Sequence, residues 1–392
     1  MTRIEKVQTK LKEREVDGWL LYEFHGVNPL ALSFLEIPDG LMISRRCFYW
    51  IPAQGEPLKI VHRIEDHNLD HLPGEAKVYS NWRTLHEHLQ ALLRGKNKVA
   101  MEYSPMQAIP TVSKVDGGLV DLIRSFGPEV VSSSSFLQEF TCVWTPHQYE
   151  LHKEAAQVLD GTVSFVWEHI RRTLEKGERI TEYDVQQMIL GRFAENNCVT
   201  EGDLICGINA HAADPHYIPM KDKSSPINKG DLILIDLWCR KDESEAVFAD
   251  ITRMGVAAAE PTAKQQEVFS IVRKAQKEGT EWIAREHKQG KEVAGADVDN
   301  RVRKVIEESG YGEFFTHRTG HNIHKEIHGP GANIDGLETQ DDRPLIPNTC
   351  FSIEPGIYLP EEFGVRLEYD VFMHEGGEIE ITVPPQDEFM TF

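Results

Sequence analysis

The chain has 392 residues, 40% hydrophobic and 27% charged, and its 42 Lys and Arg against 63 Asp and Glu give a formal charge of −21. That length suits two domains better than one core, and the composition is that of a globular enzyme. The acidic balance disfavours nucleic acid and anionic lipid as partners, no apolar run approaches a membrane span, and the charged N-terminus lacks a signal peptide's apolar stretch. A soluble cytoplasmic protein is expected.

A charged helix opens the chain and leads into a strand at Trp19–Tyr22. Leu41–Ser44, Cys47–Ile51 and Leu58–His62 read as further strands, the last two separated by the turn residues Gln54-Gly55-Glu56-Pro57. Helices are predicted at about Trp82–Leu93 and Leu119–Ser125, with a strand at Val99–Glu102 between them. This is an α/β pattern around a mixed sheet. The composition turns polar at Ser132–Ser135, and Thr145-Pro146 supplies an N-cap and a first-turn proline. The boundary is therefore placed between domains 1–143 and 144–392. In the second domain, helices are predicted at about His147–Leu174 and Thr181–Asn196, then strands at Leu204–Ile208, Leu232–Trp238 and Val247–Met254. Helices at about Thr262–His287 and Gly295–Ser309 follow, and the chain is strand-rich from Cys350 to Val383. A helix pair followed by strands thus occurs twice. The cysteines, Cys47, Cys142, Cys198, Cys206, Cys239 and Cys350, form no CxxC pair and read as reduced thiols.

Five segments of the second domain carry potential metal ligands. Asp236 closes the apolar run Leu232–Ile235, where it faces a turn or a pocket. Asp250 sits inside a β-type run; strands disfavour Asp, and a buried one needs a partner, for which a cation is efficient. His317, His321, His324 and His328 crowd one short stretch. Glu354 ends an apolar strand at Pro355-Gly356, and alternation puts Arg366 and Glu368 on one face of a strand. Each signal alone is weak: a single Asp is usually a turn former and a single His a satisfied core residue. Together, carboxylates with one or two imidazoles suit a pair of divalent ions, which can activate water for hydrolysis.

In this order the segments resemble the pita-bread metallopeptidases, which include methionine aminopeptidase, aminopeptidase P and prolidase. The matching residues are Asp236, Asp250 in Ala-Asp-Ile-Thr-Arg, His321, Glu354 in Ile-Glu-Pro-Gly, and Glu368. The resemblance covers about residues 145–392, and the α/β domain before it resembles that of the creatinase, prolidase and aminopeptidase P branch. It implies an α+β protein, a C-terminal pita-bread domain behind a smaller α/β creatinase-type domain. It also implies two divalent metal ions per chain, Mn²⁺ first with Co²⁺ or Zn²⁺ as alternatives, and a homodimer.

By the same resemblance Glu354 binds metal and shuttles the proton, while His317, His328 and Arg366 contact the substrate carbonyl or carboxylate. His216, in Pro215-His216-Tyr217, joins the substrate site, with His211 as its competitor. Arg366 has a second reading, as a structural partner of Asp370 or Glu368. Tyr217, Ile218 and Tyr358 are candidates for a proline-ring pocket. The implied activity is cleavage before proline in short peptides, as an Xaa-Pro dipeptidase. The alternatives are an Xaa-Pro aminopeptidase, an ectoine hydrolase-like or dimethylsulfoniopropionate lyase-like enzyme, and a binding protein that has lost catalysis. Three departures bear on the substrate. Trp238 stands where the family has Gly; the connection from Asp236 to Asp250 is longer and carries Asp242, Glu243 and Glu245; and His324 and Gly329 replace a small residue and an acid. All are expected at the pocket rim.

Overall fold

The computed structural model describes residues 1–38 and 40–392, which form two compact units, Met1–Thr141 and Cys142–Phe392.

The first unit is built on a six-stranded mixed sheet in the order Glu75–Tyr79, Leu58–His62, Cys47–Pro52, Gly18–Glu23, Lys98–Met101, Glu129–Ser132. Its central strand is buried on both faces. Trp19 and Leu21 pack into one cluster with Tyr49 and Phe136, while Leu20 and Tyr22 pack into another with Phe48, Trp50 and Leu89. A two-residue period explains the division. Helix Trp82–Leu93 starts where expected because the Asn81 side chain accepts from the backbone N–H groups of Arg83 and Thr84, at 3.0 and 3.1 Å. Leu41–Ser44 is not a strand: the N–H groups of Ser44 and Arg45 go to the Glu65 carboxylate, at 3.0 and 3.1 Å, and are lost to a ladder. The polar Ser132–Ser135 stretch lies within the unit, between strand Glu129–Ser132 and helix Ser134–Thr141, which buries Phe136 and Leu137.

The second unit begins with helix Pro146–Glu175, whose cap is a reciprocal pair between Thr145 and Gln148. Helix Glu182–Glu195 follows, and this pair covers strands Ile205–Ile208, Leu232–Lys241 and Ala249–Val256. The second pair, Ala263–Lys288 and Gly295–Glu308, packs with strands Thr349–Ile353, Gly356–Leu359, Phe363–Arg366 and Tyr369–Met373. The plan of a helix pair followed by strands is therefore present twice. All six cysteines are buried. Among the described residues no helix is long and apolar enough to cross a membrane.

Candidate metal centre

Strands Leu232–Lys241 and Ala249–Val256 pair antiparallel, with Thr252 opposite Asp236 and Trp238 opposite Asp250; Ile205 pairs with Asp236 from the other side. Residues opposite one another, and residues two apart, share a face. Register alone therefore puts Asp236, Trp238, Asp250, Thr252 and Ile205 on one surface. Asp236 is not at a strand end, as its sequence context suggested, because the pairing runs on to Cys239. Asp250 donates its backbone N–H to Asp370 Oδ2 at 2.8 Å, which fixes the strand beneath its side chain.

His321 precedes the short strand Asn322–Ile323. It is aligned by its own N–H, which donates to Ser352 Oγ at 3.0 Å, and by the Ser352 N–H, which donates to its carbonyl at 2.9 Å. Gly320 has to be glycine: a Cβ there would lie 2.0 Å from the Ser352 carbonyl oxygen. The loop before it is anchored by buried Asp299, whose Oδ1 accepts from the backbone N–H and hydroxyl of Thr319 at 2.9 and 2.6 Å. Glu354 directly follows strand Thr349–Ile353. Arg366 ends one strand and Glu368 precedes the next, so the expected single strand is broken between them, yet both face the same cavity. The Gln276 amide donates to the carbonyls of Ile353 and Leu367, both at 2.9 Å, and ties the two segments together.

All five expected ligands line one cavity of about 460 Å³. His321 Nε2 lies 3.4 Å from Glu354 Oε1 and 3.7 Å from Asp250 Oδ2. Donor atoms of Asp250, His321 and Glu368 all fall within 4.8 Å of one another. Burial, with mutual repulsion, raises the carboxyls of Asp250 and Glu368 well above the ordinary range and Glu354 to about 7. Burial likewise holds His321 well below the usual imidazole value. Asp250 Oδ1 has no hydrogen-bond partner among the described residues although it is buried. Four carboxylates packed around a neutral imidazole, one with an orphaned oxygen, form a donor set that a hard or borderline divalent cation satisfies.

The surrounding residues differ from expectation in several places. Arg366 is an ion-pair partner of Asp236, Nη2 to Oδ2 at 2.5 Å, rather than of Asp370 or Glu368. It also donates from Nε to Thr252 Oγ1 at 3.1 Å and from Nη1 to the Tyr358 hydroxyl at 3.0 Å. His317 Nδ1 donates to the Arg318 carbonyl at 2.6 Å, so Nε2 accepts from the Tyr358 hydroxyl at 2.7 Å. Burial lowers His317 to about 3 and His328 to about 4, which makes both rings neutral. His328 stands edge-on to His321 with ring centroids 4.3 Å apart, and lines the cavity with His216 and His317. Tyr358 lies behind this wall, held by His317 and Arg366. Tyr217 and Ile218 are not in the lining. The apolar lining comes instead from Ile205, Trp238 and Ile327. His324 and the acidic connection also lie outside it: Glu245 pairs with Lys325 at 2.8 Å, and Glu243 lies 3.7 Å from His147.

Tyr217 turns away because of Glu182, a residue that sequence reasoning missed. Glu182 Oε1 accepts from the Ile208 N–H at 2.9 Å and His211 Nδ1 at 2.7 Å. Its Oε2 accepts from the Tyr217 hydroxyl and the Ser225 N–H, both at 2.7 Å. His211 is stacked on Tyr217, centroids 4.2 Å apart. One buried carboxylate thus gathers the segment that carries Pro215 and His216 to the cavity. In the sequence Glu182 looks like an ordinary first-turn acid beside the N-cap Thr181, and nothing marks it as buried. Arg318, also missed, lines the cavity between His317 and His321 in the chain.

The sequence profile of metallopeptidase family M24 matches residues 150–375. The Xaa-Pro dipeptidase of Pyrococcus furiosus is 31% identical over 246 residues, 63% of this chain and 64% of its own. The matched stretch spans 64 to 66% of the length of such curated relatives. Among solved structures, the prolidase of Pyrococcus horikoshii superposes with a TM-score of 0.63 at 20% identity, covering 99% of both chains. The X-prolyl aminopeptidase of Caenorhabditis elegans, described as a cytosolic enzyme with a di-nuclear active site, gives 0.65 at 17% identity over 98% of this chain and 62% of its own. These likenesses make the second unit's fold that of the pita-bread proteins.

Proposed function

The chain belongs to metallopeptidase family M24, and from that premise we propose that it is a dinuclear-metal Xaa-Pro dipeptidase acting on short proline-containing peptides. The observation that carries the reading is the single cavity formed by Asp236, Asp250, His321, Glu354 and Glu368, with one buried carboxylate oxygen unpartnered among the described residues. Its similarity to the Xaa-Pro dipeptidase of Pyrococcus furiosus supports the substrate class.

The five residues would hold a pair of divalent ions, which when bound supply an activated water and polarise the scissile carbonyl. Glu354, whose Oε1 lies 3.4 Å from His321 Nε2 in the cavity wall, would also carry a proton to the leaving nitrogen. His328 presents a neutral ring at the cavity wall, and none of its ring nitrogens has a hydrogen-bond partner among the described residues. It would donate to the developing oxyanion, with His317 beside it. His317 is oriented by Tyr358, which Arg366 holds in turn. Arg366 also neutralises Asp236 and keeps its carboxylate aimed into the cavity, so its role is positioning. His216 would border the substrate from the opposite loop. Ile205, Trp238 and Ile327 would pack against an apolar ring and exclude water. The same reading takes the cofactor as Mn²⁺, with Co²⁺ and Zn²⁺ also suited to the donors, and the assembly as a cytoplasmic homodimer.

A substrate panel tests the assignment. Metal-loaded protein should cleave Ala-Pro with at least about tenfold greater kcat/KM than Ala-Ala, and should cleave Ala-Pro-Ala more slowly than Ala-Pro. Cleavage of the tripeptide alone would make it an aminopeptidase. Inertness towards every peptide would favour a non-peptide substrate on the same fold.

A further inference from the structure

We propose that Arg318 reads the free C-terminal carboxylate of the substrate and so restricts the enzyme to dipeptides; this rests on the dipeptidase reading above. Arg366, the sequence-based candidate for that task, is consumed by Asp236, Thr252 and Tyr358. Arg318 is the other arginine in the cavity wall. Its side chain has no ion pair or hydrogen bond among the described residues, although five carboxylates line the cavity.

Its backbone is nevertheless fixed on both sides. The Arg318 N–H donates to Glu338 Oε1 at 3.2 Å, and its carbonyl accepts from His317 Nδ1 at 2.6 Å. The next residue, Thr319, is bound to buried Asp299. No ion pair joins Glu338 to the guanidinium, so the charge stays available. It is close enough to influence Glu354 and His328, the groups assigned to the leaving nitrogen and the oxyanion. In a dipeptide the terminal carboxylate lies one residue beyond the scissile bond, within about 4 Å of chain. A planar guanidinium fork meets a carboxylate there with paired hydrogen bonds. A longer peptide places a neutral amide at that point and leaves the cation unpaired and partly desolvated, which penalises it.

The test compares acids with amides in metal-loaded protein. KM is measured for Ala-Pro and Ala-Pro-amide, and affinity for L-proline and L-prolinamide by calorimetry, in wild type, Arg318→Gln and Arg318→Lys. The wild type should favour the acid in both pairs. Arg318→Gln should reduce each acid-over-amide ratio by about tenfold or more, the effect of a charge-assisted hydrogen bond, and Arg318→Lys should retain part of it. Ratios unchanged in Arg318→Gln would overturn the assignment while leaving the dipeptidase reading intact. A wild type that cleaves neither peptide, yet prefers proline in a way that Arg318→Gln abolishes, would overturn the activity and keep the carboxylate assignment. A wild type with no cleavage and no preference would overturn both.

Discussion

Buried carboxylates set the chemistry of both units, and each unit handles them differently. In the first unit, Glu102 is fully buried and accepts from Trp19 Nε1 at 2.5 Å, Asn28 Nδ2 at 2.9 Å and Ser133 Oγ at 3.2 Å. Burial outweighs these donors and raises it to about 7. Its folded pKa lies above the unfolded value, so its contribution to stability is complete below about pH 4.5 and is lost as pH rises through about 7. Over that window the loss is on the order of 3 kcal/mol. Glu102→Gln should flatten the fall in the first unit's thermal midpoint between pH 5 and 7.5; an unchanged slope in calorimetric scans would refute this. In the second unit the carboxylates face one another instead, which is the arrangement a cation relieves. That contrast was partly legible beforehand: an Asp inside an apolar strand, as at Asp250, stands out by chemistry. Glu182 and Arg318 do not, because an acid after an N-cap and a basic residue in a polar loop are commonplace on solvated surfaces.

Among the elements, long periodic helices and capped starts were legible, as at Thr145-Pro146 and Trp82–Leu93. Strand Glu75–Tyr79 was not, because it is a largely exposed strand at the end of the sheet with little apolar alternation. The segment between Ile208 and Ser225 shows a further limit. Its conformation depends on Glu182, a partner distant in sequence, so local patterning could place Tyr217 beside His216 but could not tell that their side chains part. Removing this anchor should loosen the segment without touching the metal ligands. Glu182→Ala should raise KM for Ala-Pro severalfold and speed tryptic cleavage after the exposed Lys221 and Lys223, with metal content unchanged. Equal KM and equal cleavage rates would show that the four hydrogen bonds do not order the segment.

For the second unit as a whole, the cavity joins parts that would otherwise be held only by packing. Asp236 and Asp250 come from the five-stranded sheet, whereas His321 and Glu354 flank strands of the four-stranded sheet. Cations bound between them would link the sheets, so metal affinity adds to the stability of this unit. Chelation should lower its thermal midpoint and leave that of the first unit unchanged; a uniform shift of both would contradict the assignment. The five ligands were readable from their order along the chain, which resembles that of the family, although each local sequence alone is a weak signal. Their convergence on one cavity needed the register of Asp236 against Thr252 and the bridging amide of Gln276. The most direct measurement is metal content together with Ala-Pro turnover, in wild type and in Glu354→Ala. The account predicts a pair of divalent ions per chain in the wild type, turnover lost to chelator and regained with Mn²⁺, and reduced metal with turnover down by roughly a thousandfold or more in the variant. Full turnover in excess chelator, or in Glu354→Ala, would contradict it.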